Sequence, residues 1–190
     1  FAAWAQSGGA PALDEQLQLR QLREGVALMR SGQAARAITE HFEPVIQAYE
    51  QRFRDGKTRP YSARNVAESL VYMLEAANSQ PMQSAKVYAA AWGQAYFLKG
   101  YALVELQRYA EAAAALDSAI ALSPQNAQYL TERGQLHLRG RNWAEALKTF
   151  AAAETAAREF SPPETRTVDL GRVQRGQAYA RIELNELDLA

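Results

Sequence analysis

At 190 residues, 48% of them hydrophobic, the chain is long enough for one sizeable domain or one array of repeats and too apolar for wholesale disorder. Lys plus Arg and Asp plus Glu each total 21, so the formal net charge is zero, which excludes a general nucleic-acid binder with its basic excess. There is no cysteine, hence no disulfide, thiolate metal site or cysteine nucleophile, and no apolar run approaches the ~18 residues of a membrane span.

The chain opens on FAAWAQSGGAPA. Ala3-Trp4-Ala5 has the A-x-A pattern that ends a secretory signal peptide, and Ser7 to Pro11 have linker composition. Residues 1–11 therefore read as a flexible segment ahead of a single domain over 12–190. The pattern points to a periplasmic or secreted protein; a leftover of cloning on a cytoplasmic protein is the alternative.

From Leu22 to Phe42 the sequence places Gly25, Leu28, Gly32 and Ala37 in a helix–turn–helix pattern. The second helix runs on through EPVIQAYEQRF toward Asp55-Gly56. PYSARNVAESLVYMLEAANSQP (60–81) predicts one inserted amphipathic helix, about 61–78, with Val66, Leu70, Met73 and Leu74 on its apolar face. NSQPMQS breaks the chain before a helix that starts near Ala89. Tyr88, Trp92 and Tyr96, spaced i, i+4, i+8, fit packing against the inserted helix at least as well as a binding role.

AYFLKGYALVELQRYAEAAAALDSAIALSP (95–124) recurs as QYLTERGQLHLRGRNWAEALKTFAAAETAA (128–157) with a shift of 34: Gly100 falls on Gly134, Tyr109 on Trp143, Ala112 on Ala146, Leu116 on Phe150 and Ala119 on Ala153. Glycine on one helix and alanine on the next let two backbones approach closely. Tyr109 and Trp143 are expected to wedge between the helices of their pairs, and Pro124 to end the second helix. EFSPPETRT (159–167) reads as a loop. The last copy, GRVQRGQAYARIELNELDLA (171–190), carries Gly176, Tyr179 and Ala190, with two extra residues between its glycine and its second-helix alanine. Leu170, Val173, Tyr179 and Ile182 of its first helix are left without a covering helix, so the natural protein is expected to continue, or a partner to supply the cover.

Catalytic chemistry finds little support. His41 and His137 both fall on core positions of the repeat, and EHFE (40–43) lacks a third metal ligand. No phosphate loop, G-x-S-x-G or H-E-x-x-H is present. The reading is no enzyme, no cofactor and no metal site.

With Tyr96, Gly100, Leu103, Tyr109, Ala112, Leu116, Ala119 and Pro124 in place, the 34-residue unit resembles the tetratricopeptide repeat family. The resemblance implies an all-α fold: a right-handed α-solenoid of antiparallel helix pairs, with repeats at about 18–51, 93–126 and 127–160, a partial one at 169–190, and one inserted extra helix. It also implies a non-catalytic module that binds a protein or peptide partner on the concave face of its first helices. Carried over position by position, that face comprises Met29 and Arg30 in the first repeat and Phe97, Tyr101 and Val104 in the second. The third contributes Gln135, Leu138 and Arg139, and the last Arg181. The arginines also suit helix C-termini, where the dipole favours a cation by about 0.3–1 kcal/mol. The Lys and Asn with which one branch of the family clamps a C-terminal carboxylate are replaced by Phe97, Tyr101, Thr131 and Gln135. The expected function is a scaffold or adaptor in a bacterial envelope. Two alternatives stay open: an immunity-type inhibitor that sequesters one partner, and a scaffold that self-associates through its uncapped C-terminal end.

Overall fold

The computed structural model describes residues 13–53, 58–82 and 84–185. The A-x-A pattern, the linker after it and Ala190 lie outside the described residues.

Helix α1 (Glu15–Arg30) starts where Asp14 Oδ1 accepts a hydrogen bond from the Leu17 amide at 3.1 Å. It ends in a left-handed turn: Gly32 has φ +74°, Gln33 N–H donates to Leu28 O at 2.9 Å, and Gly32 N–H donates to Met29 O at 2.9 Å. The same closure recurs in the later repeats on side chains rather than glycine, at Gln107 (φ 60°) and Arg141 (φ 56°). The second helix of the first repeat is continuous but not uniform: α2 (Ala34–Ala37) passes through a π-helical turn (Ile38–Phe42) into α3 (Glu43–Phe53). The π turn adds one residue. Phe42, fully buried, thereby takes the place against Gly25 expected of His41, with Phe42 Cζ 2.9 Å from where a Gly25 Cβ would sit. His41 turns aside and its Nδ1 meets Gln21 Oε1 at 2.8 Å.

The array continues with α5 (Ala91–Glu105), α6 (Tyr109–Leu122), α7 (Ala127–Arg139) and α8 (Trp143–Phe160). Asn126 caps α7, its Oδ1 accepting from the Gln128 amide at 3.1 Å. Gly100 on α5 faces Leu116 on α6, and Gly134 on α7 faces Phe150 on α8, so the small residues do provide the close helix approaches. Tyr109 does not wedge between its helices; it is exposed, under the Arg139 guanidinium at 6.0 Å. Trp143 is half-buried, edge-on to Tyr179 at 6.0 Å. The segment read as a loop at 159–167 is mostly helix: α8 ends at Phe160, and α9 (Pro163–Glu183) begins on a proline, tolerated in a first turn because no N–H is needed there.

The insertion differs most from expectation. It is a β–α–β unit rather than one helix: β1 (Arg59–Ala63), α4 (Val66–Asn78) and β2 (Ala85–Ala89), the strands parallel with Arg59 opposite Ala85 and Ala63 opposite Ala89. Its helix turns that apolar face outward. Val66, Leu70, Met73 and Leu74 are 75%, 66%, 51% and 62% exposed, while Glu68, Tyr72 and Ala76 face inward. Tyr72 stacks on Tyr61 at 4.9 Å to form a small separate core. The unit is latched to the array through Ser62, whose Oγ accepts from the Gly93 amide at 3.2 Å and whose carbonyl accepts from Ser123 Oγ at 2.5 Å. The Tyr88–Trp92–Tyr96 stripe packs on α3, not on the inserted helix: Trp92 stacks on Tyr49 at 5.4 Å, Tyr88 on Phe53 at 4.2 Å, and Tyr96 Oη donates to Glu50.

One large core joins α1, α2, α3, α5, α6 and α7, and a second joins α7, α8 and α9 around Phe150 and Val173. Among the described residues, no helix is long and apolar enough to cross a membrane.

Candidate functional site

The first helices of the repeats, α1, α5, α7 and α9, share one face, and two hollows open along it. The first, about 420 Å³, has an apolar floor of Val26, Met29, Phe97, Leu98 and Tyr101. The second, about 500 Å³, lies between α7 and α9 and is lined by Gln135, Leu138, Arg139, Arg175 and Tyr179 among others. Glu132 and Arg172 line both, so the two hollows form one groove. The 34-residue period builds it: Tyr101 and Gln135 occupy the same place in successive repeats, as do Glu105 and Arg139.

Of the predicted residues, Met29, Arg30, Phe97 and Tyr101 line the first hollow, and Gln135, Leu138 and Arg139 the second. Phe97 has a double role. It is buried in the main core and stacked on Tyr129 at 4.9 Å, so only part of it meets the groove. Val104 packs half-buried against the core instead. Arg181 lies toward α8, where its charge, after Arg158 and Gln177, helps hold the Glu154 carboxyl below its ordinary range. The groove residues of α9 are Arg172, Arg175 and Tyr179; Val173, Gln177 and Ala180, which carrying the repeat positions over to α9 would also place on the concave face, are buried against α8. The two extra residues after Gly176 were the available sign that α9 departs from the common register.

The groove is electrostatically unbalanced. Among the described residues, Arg30, Arg139, Arg172 and Arg175 have no carboxylate within 4.0 Å. Elsewhere, Arg36, Arg108, Arg133 and Arg158 are each bonded to an Asp or Glu at 2.6–2.8 Å. Glu132, at the junction of the hollows, has its carboxyl pushed up by burial, against the pull of Arg172 and Arg139.

An acid whose folded pKa is raised is held protonated by the fold, so its ionisation destabilises: stability falls as pH rises through the carboxylate range and stays lower above it. Glu132→Gln is therefore expected to melt higher than wild type at pH 7, with the difference closing as pH falls through the carboxylate range. Parallel thermal melts over pH 3–8 test this, and a difference that persists in acid refutes it.

The tetratricopeptide repeat family model matches residues 97–162, from the groove face of α5 to the start of α9. Comparison with curated proteins gives no match. The glycine-to-bulky contacts of α5–α6 and α7–α8 fall within the matched segment and repeat in α1 with Phe42 outside it. Residues 97–162 of the chain thus carry the tetratricopeptide repeat.

Proposed function

We propose that this groove binds a segment of a protein partner carrying apolar side chains beside acidic ones. The four guanidiniums left without carboxylates around a continuous, partly apolar groove carry this reading. A guanidinium accepts a carboxylate through two parallel hydrogen bonds, which gives orientation as well as energy. The Met29 and Tyr101 side chains supply adaptable and aromatic contact area. A groove preformed by packed helices binds without first ordering itself. The protein then acts as a scaffold or adaptor, and Ala3-Trp4-Ala5 supports placing it in a bacterial envelope.

The test is a capture experiment with a Tyr101→Ala/Arg172→Ala variant, both side chains exposed, compared with wild type and with Leu106→Ala outside the hollows. Phe97 is left intact because its loss would open the core. The expected result is a partner retained by Leu106→Ala, lost about tenfold or more by the groove variant, and bound more weakly as salt is added. A partner held equally by all three, without salt dependence, would overturn the proposal.

A further inference from the structure

Independently of the groove, we infer that the exposed face of α4 is a self-association surface, on which a second copy of the chain packs its own α4 antiparallel about a two-fold axis. The side chains turned to solvent are Val66, Ala67, Leu70, Met73, Leu74, Ala77 and Asn78, none of them charged. Both carboxylates of the helix are engaged elsewhere: Glu68 with Arg64, and Glu75 with the Gln125 amide nitrogen at 2.9 Å. Met82, in the segment that follows the helix, is a further exposed apolar side chain, at 78%.

The positions 66, 70, 73 and 77 follow the 4-3-4 spacing of a helix that packs lengthwise against another. With a two-fold axis at the level between Val71 and Tyr72, Leu70 meets Met73 of the second copy and Val66 meets Ala77. Large side chains thus stand opposite large or small ones without steric conflict. A face with no charge selects an uncharged apolar helix as its complement, which the chain itself supplies. The formal net charge of zero means that two copies do not repel one another.

The size also fits. At roughly 60–120 Å² of apolar surface per such side chain, the five exposed ones give about 300–600 Å² per copy, of the size that marks an interaction site. With its rim, a contact between two copies totals about 1,000 Å², the lower end for specific association, where interfaces are weak and transient. No α4 residue lines either hollow. The dimer therefore keeps both grooves open and engages a bivalent partner more tightly than one copy does.

Sedimentation velocity of the 190-residue chain from low to high micromolar concentration is expected to show a monomer–dimer shift. Leu70→Glu/Met73→Glu, at exposed positions, is expected to remain folded by circular dichroism and monomeric throughout. Because the chain has no cysteine, orientation is read from single-cysteine variants. Mixed Leu70→Cys and Met73→Cys chains should cross-link on mild oxidation, whereas Val66→Cys chains, far apart across the axis, should not. A monomer at every concentration, a dimer that survives Leu70→Glu/Met73→Glu, or a dimer lost only on substituting Tyr179 and Ile182 of α9 overturns the inference.

Discussion

Phe150→Ala is expected to cost about 3–5 kcal/mol, the range for removing a fully buried aromatic ring, and to release α9 from the array. The ring is held from two sides. A Cβ at Gly134 of α7 would come within 2.7 Å of Phe150 Cε1, and one at Gly176 of α9 within 2.6 Å of Cε2. Phe150 therefore sets the spacing of three helices at once. In a solenoid each helix leans only on its neighbours, so the loss stays local. Limited proteolysis is expected to cut first within residues 163–183, with α5 and α6 still protected. The glycines give the complementary test. Alanine at either site gains up to ~1 kcal/mol of helix propensity, but at Gly176 the added methyl meets a ring already pinned from the other side. Gly176→Ala should destabilise more than Gly100→Ala, whose methyl would lie 2.9 Å from Leu116 Cγ and 3.3 Å from the Ala112 carbonyl oxygen, because an aliphatic side chain shifts more readily than a ring pinned from two sides. Denaturant titration of the two variants separates them. Equal stability would mean that helix spacing, rather than Phe150, relaxes freely.

The repeat was legible because its contacts recur: Gly100 with Leu116 and Gly134 with Phe150 are the same contact one period apart. The same reasoning failed by one residue in the first repeat. A π turn adds a residue without changing composition, so His41 occupied in sequence the place that Phe42 occupies in space. The strands were illegible for a different reason. RPYSA and AKVYA are five residues each, and their parallel pairing spans a whole intervening helix, so no local pattern announces it. The outward turn of α4 was illegible because an apolar row does not by itself say which way it faces. Apolar residues on the surface are common, and a polar residue can be fully buried once it is paired. Arg64-Asn65-Val66-Ala67-Glu68 did contain that information. Asparagine followed three residues later by glutamate is a helix-start signature, and it fixes which way Glu68 points. At the groove, the residues of α5 and α7 followed from the period, while those of α9 did not, because its length breaks it.

Glu68→Ala is expected to unfold the insertion while the repeats stay folded. Glu68 is 0% exposed; its Oε1 accepts from Arg64 Nε at 2.7 Å and from Nη2, and its Oε2 accepts from the Arg64 amide at 2.8 Å. The Glu68 amide in turn donates to Asn65 Oδ1 at 2.9 Å, so one carboxylate ties together the end of β1, the cap of α4 and the first helical turn. Removing one partner of a buried ion pair costs about 3–5 kcal/mol. The Arg64 side chain is 24% exposed, so water takes up part of the stranded charge and the loss falls toward the low end of that range. Against it stands only the small core of Tyr61, Ala63, Tyr72 and Ala76. A unit with so little buried surface opens on its own before the array does. Hydrogen exchange should accelerate across residues 59–89 in Glu68→Ala and remain slow in α7 and α8, with Glu68→Gln intermediate because it keeps one acceptor. The exposed stripe of α4 disappears with the helix that presents it, so the same variant should sediment as a monomer. Faster exchange spread evenly over every helix would instead mean that the insertion, through Ser62, Gly93 and Ser123, is an integral part of the array's cooperative unit.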